Sequence, residues 1–357
     1  MGLPKIDIKF ISKASTAIKR GERGILAVLL KLPGDAGDED RAATAVRLDD
    51  ATALPEDLTD DEKGFLERAF AGGQNAVKYV WLIRSDSLSE GLAKAEGVQF
   101  DYFCAIPEML AGATSTVISW VKSLRDNKGK KVKAVLPNTS ADYEGIVNFT
   151  TDDIKVGEAT YTAADYCSRI ASLLAGTPLS VSATYTPLPE VDSVPSFTDA
   201  EFDAKIDAGE FCLKFDGRQV KVARAVNSLV TVGQEKSEDW KSCKIVDTAD
   251  LIYTDIRQTC EDVYIGKFAN SYDNKCSLIL SVQAYLEALR MDNLLDQSIE
   301  VGIDLEKQEN YLKGRGIDTS EMSEQEIKEA NTQTFVFLLA RYKILNAIED
   351  ISVRMFI

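Results

Sequence analysis

No histidine occurs anywhere in the 357 residues. Histidine is the side chain that titrates nearest neutral pH and the commonest metal ligand. Its absence excludes Ser-His-Asp and Cys-His catalysis and most zinc sites. Carboxylate, lysine and tyrosine chemistry stays open. No phosphate loop G-x-x-x-x-G-K-[ST], no G-x-G-x-x-G after a strand and no G-x-S-x-G elbow is present. The glycine-bearing pieces at 21–24, 71–74, 126–131 and 313–316 read as polar turns. Adjacent acids such as Asp60-Asp61 and Glu261-Asp262 do not face one another on a helix, so they are not poised acid–base pairs. The expectation is a protein that is not an enzyme and carries no cofactor and no metal.

Other patterns are missing too. No two of Cys104, Cys167, Cys212, Cys243, Cys260 and Cys276 lie closer than 16 residues, so no C-x-x-C pair exists. They read as reduced thiols used as small apolar residues. There is no run of about 18 apolar residues, and the opening MGLPKIDIKFISKAS scatters charges through its length. Neither a membrane span nor a signal peptide is expected.

What is present is negative charge, −16 in all. Phosphate backbones need a basic face, so nucleic acid is not an expected partner. The charge is uneven: residues 1–24 carry +4 and the remainder −20. A basic arm on an acidic body can bind a neighbouring acidic copy of itself, and it can equally be solvated. Residues 34–62 hold eleven acids against Arg41 and Arg47. Their cluster Asp35, Asp38, Glu39, Asp40 lacks the alternate-residue spacing of a calcium loop and reads as a solvated loop.

Periodicity predicts strands alternating with helices. Ile25–Leu30 is a continuous apolar run of buried-strand type. A helix near 57–70, strands at 77–83 and 99–105, a long helix after Pro107, strands at 132–136 and 145–149 and a helix at 162–174 follow. Residues 177–197 gather Pro178, Pro187, Pro189 and Pro195, with none after, and read as a linker. Beyond it come a helix at 198–207 and strands at 209–215 and 218–225, joined at Asp216-Gly217 as a hairpin. Helices at 247–264 and 277–290 carry core stripes, Ile252, Ile256, Cys260, Val263 and Leu278, Val282, Tyr285, Leu289. A strand at 298–303, helices near 304–312 and 323–331 and a buried strand Phe335–Leu339 complete the pattern. The fold class is α/β (α+β), with an arm and linker at 1–24, an α/β domain at 25–176, the linker at 177–197, a second α+β domain at 198–342 and an arm at 343–357. Polar stretches at 13–24 and 342–350 are the expected hinges.

Two short segments alternate like strands. Ile6, Ile8 and Phe10 fall on one face near the start, and Ile351, Val353, Met355 and Ile357 on one face of ISVRMFI. An apolar strand with an open edge is an aggregation hazard unless something pairs with it. Both are candidate inter-subunit arms; the alternative is that each pairs within its own chain.

The ordered set of segments resembles the tail sheath proteins of contractile phages and R-type phage-tail-like bacteriocins, closest in look to the compact sheaths of Gram-positive bacteria. The opening GLPKIDIKFISKASTAIKRGERGILAVLL, the stretch SRIASLLAGTPLSVSATYTPLPEV (168–191) and the hairpin FCLKFDGRQVKVARAVNSLVT (211–231) are similar to the family's. So are DTADLIYTDIRQTCEDVYIGKFANSYDNKCSLILSVQAYLEAL (247–289) and the ending FVFLLARYKILNAIEDISVRMFI, while 34–75 shows no likeness. The resemblance implies subunits that stack as hexameric rings around an inner tube and contract, without nucleotide hydrolysis, to drive the tube through a target envelope. It implies the inner tail tube protein, baseplate and tail-terminator proteins as partners, with no nucleic acid and no membrane insertion. It also implies assembly in the bacterial cytoplasm, and residence in a virion tail or a released bacteriocin particle. The α/β domain is then the outer one and the C-terminal domain the core near the tube, with Lys241, Lys244, Lys313 and Arg315 as candidate tube contacts. A tube or baseplate component, and a cytosolic α/β enzyme with a carboxylate or lysine site, are the competing readings.

Overall fold

In the computed structural model, residues 17–34, 42–234 and 236–356 are described. Ile6, Ile8, Phe10, Ile357 and the acidic cluster Asp35, Asp38, Glu39 and Asp40 lie outside them. The chain forms two compact units. One comprises Gly21–Thr254 and the segment from Ile344 onward; the other comprises Asp255–Lys343 and the described residues up to Arg20.

The first unit is built on strand Ile25–Lys31, whose side chains are buried on both faces. Leu26, Val28 and Leu30 enter one apolar cluster and Ile25, Ala27 and Leu29 the other. Alternation of side chains across a pleated strand produces this split. The strand pairs in parallel with Tyr79–Ser85 on one side and Tyr102–Ala105 on the other. Lys133–Pro137, Ile146–Phe149 and Glu210–Phe211 continue the sheet in parallel. Thr44–Leu48 closes the opposite edge antiparallel, giving seven strands.

Helices cover both faces, as a parallel sheet requires. Asp60–Phe70 and Ala163–Ala175 supply Phe65, Leu66, Tyr166, Ile170 and Leu174 to the first cluster. Leu88–Ala95 and Thr114–Lys122 supply Leu92, Val117 and Val121 to the second. The starts of the first pair follow from sequence: Thr59 with Glu62, and Thr162 with Asp165, form reciprocal capping boxes. At Gly176 the chain passes so close to its neighbours that an added Cβ would lie 2.3 Å from the Asn75 carbonyl oxygen.

The expected linker at 177–197 differs from what is observed. Leu188 and Val191 are buried, and the N–H groups of Tyr185 and Leu188 donate to the carbonyls of Val222 and Val220. Strand Glu210–Phe211 joins the large sheet from beyond that stretch. Proline sets an extended backbone, and an extended backbone lies against a core as readily as it spans a gap. The chain passes between units inside helix Cys243–Thr259 instead. The Asp216-Gly217 hairpin forms as expected between Leu213–Phe215 and Val220–Val222. The Asp216 carboxylate accepts from the N–H groups of Arg218 and Gln219, and Gly217 takes φ +91°.

The second unit centres on helix Tyr272–Met291, longer at both ends than its apolar stripe predicts. Leu278, Val282, Tyr285 and Leu289 are buried as expected. Of the stripe on the preceding helix only Ile252 is fully buried, and Ile256, Cys260 and Val263 are half-exposed. That helix runs into a π-turn at Cys260–Tyr264. Strand Glu300–Ile303 pairs antiparallel with Leu338–Arg341, which starts three residues later than the predicted Phe335–Leu339 and is only half-buried. The Asn270 amide donates to the carbonyls of Gln333 and Phe335. Tyr285 donates to Asp255 at 2.6 Å.

Candidate assembly site

The segment from Ile344 onward falls into two parts. Its first part is bound down. The Lys244 ammonium donates to the Leu345 carbonyl, and Ser242 Oγ donates to Asn346 at 3.3 Å. The Glu349 carboxylate accepts from Ser182 and Thr184, both at 2.8 Å, and pairs with Arg224 at 3.1 Å. Arg224 also reaches Asp350 at 2.7 Å. Its second part carries Ile351, Val353, Met355 and Phe356 at 76%, 64%, 83% and 94% exposure, with no strand partner among the described residues. The candidate arm residues Ile351, Val353 and Met355 are thus apolar and open to solvent, and they pair with no strand among the described residues.

Some strands keep an open backbone edge among the described residues. The Glu300–Ile303 and Leu338–Arg341 pair is a two-stranded sheet, so among the described residues each strand has one unpaired side. Above it Phe335 and Phe337 stack at 6.1 Å and Tyr311 packs against both. Phe335 and Val336 remain 53% and 41% exposed. Thr44–Leu48 is one edge of the seven-stranded sheet, but Arg47 lies across the Tyr79 ring there at 3.9 Å. A charge on an edge strand discourages pairing.

The four candidate tube contacts separate. Lys313 is exposed and pairs with Glu309 at 2.7 Å, and Arg315 is exposed beside it. Lys241 is half-exposed and pairs with Glu238. Lys244 is a correction: it is only 5% exposed, and burial lowers its pKa while its ammonium binds the Leu345 carbonyl. A cation committed to a backbone oxygen inside the protein is not offered to a partner.

Sequence reading missed a buried charge network in the first unit. Arg125 forks onto Asp250 at 2.7 and 2.9 Å. Lys133 reaches Asp247 at 3.0 Å and Asp250 at 3.1 Å. Arg23 meets Asp247 at 3.1 Å, Tyr102 donates to the same carboxylate, and Lys236 caps Glu144 at 2.8 Å. Burial opposes the Asp250 charge, but Arg125 and Lys133 outweigh it and hold the carboxyl below its ordinary pKa. Burial likewise opposes the Lys133 charge, and Asp247 and Asp250 raise its pKa regardless. Opposite charges side by side in a low dielectric favour ionisation of both. A signal existed: Lys133 sits inside the apolar strand VKAVL, and Asp247 and Asp250 lie three apart near a helix start that also carries Ile245 and Val246.

Among the described residues the network is nearly complete: one nitrogen each of Arg23 and Arg125 is buried without a hydrogen-bond partner. Among the described residues no cluster of three or more metal-binding side chains exists. No helix among them is long and apolar enough to cross a membrane. The Cys104, Cys167, Cys212 and Cys243 thiols are buried, and burial raises each pKa, Cys212 to about 12. Thiols held protonated in this way are poor nucleophiles.

Two family models match the chain: the phage tail sheath protein central domain over residues 83–228 and the phage tail sheath C-terminal domain over residues 235–357. A tail sheath protein of Clostridium phage phiCD119 is 38% identical over 361 residues, covering 99% of both chains. The sheath tail protein of Desulfitobacterium hafniense has a similar structure, with TM-score 0.68 at 19% identity over 84% of this chain and 94% of that one. The anti-feeding prophage helical sheath in its contracted state gives TM-score 0.70 at 13% identity, over 100% of this chain and 99% of that one. At such identities the two structures speak for the fold alone. The full-length relative and the paired domain matches carry the conclusion that this chain belongs to the phage tail sheath protein family.

Proposed function

We propose that the chain is a non-enzymatic subunit that polymerises as stacked hexameric rings around an inner tail tube. On triggering at a baseplate the sheath shortens and drives the tube through a target envelope. The energy resides in a kinetically trapped assembly, not in a nucleotide. Baseplate and tail-terminator proteins bound the sheath at its ends. Assembly takes place in the bacterial cytoplasm, and the product is a virion tail or a released bacteriocin particle.

The observation that carries this reading is the exposed apolar segment after Asp350. Residues 351–357 of one copy, and Ile6–Ser12 of another, add as strands to the open edges of the Glu300–Ile303 and Leu338–Arg341 pair in a neighbour. About five backbone hydrogen bonds at roughly 1 kcal/mol each would form per arm. Burial of three or four apolar side chains adds about 1.5–3 kcal/mol apiece. Ordering the arm costs about 1–2 kcal/mol per residue, so one arm is marginal and many around a ring hold by avidity. Lys241, Lys313 and Arg315 face the tube.

Electron microscopy of the expressed protein, with and without residues 351–357, tests the reading. Tubes of one diameter from the full chain, and a folded non-polymerising truncation, are expected. Discrete dimers or tetramers from the full chain would overturn it.

A further inference from the structure

A polar stretch between apolar ones reads as a hinge, and 342–350 was expected to behave as one. The contacts say otherwise. Five donors, Ser182, Thr184, Arg224, Ser242 and Lys244, grip the stretch between Leu345 and Asp350. The grip is built in advance of the arm: Ser182 Oγ lies 3.0 Å from Thr184 Oγ1, which also accepts from the Ala225 N–H at 3.0 Å. The Glu349 side chain is 16% exposed in this socket, whereas Ile351 two residues on is 76% exposed. The change from held to free therefore occurs at Asp350.

We infer that the socket of Ser182, Thr184, Arg224 and Lys244 fixes where the C-terminal arm leaves the body, and so sets the length of arm free to reach a neighbouring copy. The inference rests on the strand-addition reading above and adds to it the residues that determine reach. With the socket closed, residues 351–357 extend to about 23 Å at roughly 3.3 Å per residue. With it open, the free segment starts after Lys343 and reaches about 46 Å by the same measure. Effective concentration of a tethered partner falls as about the −3/2 power of tether length, so doubling the arm weakens each engagement about three-fold. Glu349 and the socket are positioning residues: they touch the arm's root and never its partner.

Trypsin reads the socket in the unassembled protein, because Lys343 and Arg354 flank it. In the wild type, cleavage after Arg354 should outpace cleavage after Lys343 by about ten-fold or more, since a protease needs an extended, released segment. In the double variant Glu349→Gln, Arg224→Ala the Lys343 cut should accelerate to match. Equal rates at the two sites in the wild type overturn the socket without any variant. Its role is then read from the protein concentration at which polymerisation begins. The double variant should raise that concentration about three-fold, and about seven Gly/Ser residues inserted between Asp350 and Ile351, which leave the socket intact, should raise it equally. A merely structural socket predicts no effect of the insertion, and that result overturns the inference. If deletion of 351–357 leaves polymerisation unchanged, strand addition itself is wrong, and the trypsin result still stands on its own.

Discussion

Arg125 and Asp250, 125 residues apart in sequence, meet in a two-bonded ion pair at 2.7 and 2.9 Å with side chains 2% and 8% exposed. The fork of the guanidinium matches the two carboxylate oxygens, and Lys133 approaches the same carboxylate from the next strand. The pair ties Asp250 to the π-turn Ser123–Asn127, and Lys133 ties the same carboxylate to the central sheet.

Removing one partner of a buried pair leaves the other charged and unsolvated. Asp250→Ala should therefore destabilise the unassembled protein by about 3–5 kcal/mol, read as a lowered urea midpoint. Replacing Arg125, Lys133, Asp247 and Asp250 together by apolar residues of similar volume should cost far less than that single change. Equal losses would mean that the network's worth is in its packing and not in its charge.

The pH profile follows from two opposite shifts. Asp250 has a folded pKa below its unfolded value, so its contribution is present above about pH 4 and is lost as pH falls through the depressed folded value. Lys133 has a raised folded pKa, so its contribution is full below about pH 10 and is lost as pH rises through the raised value. With no histidine to titrate between, thermal stability should be flat from about pH 6 to 8. A stability step within that window, seen by scanning calorimetry, would contradict the assignment.

Gly176 tolerates no side chain. A Cβ there would lie 2.3 Å from the Asn75 oxygen and 2.5 Å from the Gly73 nitrogen, both backbone atoms that cannot swing aside. Gly176→Ala should cost at least about 1–3 kcal/mol, the usual penalty of overpacking. Gly112→Ala, where nothing lies within 4 Å, should cost less despite its positive φ. Reversal of that order in paired unfolding curves would refute the steric account.

Charge reversal separates the candidate tube contacts. Lys313→Glu with Arg315→Glu should lower tube-bound assembly several-fold near 0.1 M salt, and the difference should shrink near 1 M, where screening reaches about 3 Å. Lys244→Glu should act through the Leu345 anchor and be insensitive to salt. Pelleting with preformed tubes across a salt series checks both.

Much of the fold was legible because it rests on local patterns. Ile25–Leu30 announces a strand buried on both faces, Asp216-Gly217 announces a hairpin, and Leu278, Val282, Tyr285 and Leu289 announce a helix face. What stayed hidden depends on partners far away in sequence. Arg125, Lys133, Asp247 and Asp250 each look solvated until the chain brings them together. Proline content in 177–197 signalled extension, but it could not tell a spacer from a segment laid on a core. The same blindness made Lys244 look like a surface cation and 342–350 like a hinge, since the donors that hold that stretch lie more than 100 residues upstream.

Leu124 and Arg125 are neighbours in sequence, both are buried, and both lie in the π-turn Ser123–Asn127. A π-turn is a helix carrying one surplus residue. Deleting one residue ahead of Arg125 would restore ordinary winding and swing the guanidinium about 100° around the axis, away from Asp250. This stretch can therefore exchange letters but not change its count, and related sequences aligned across it should show substitutions without gaps.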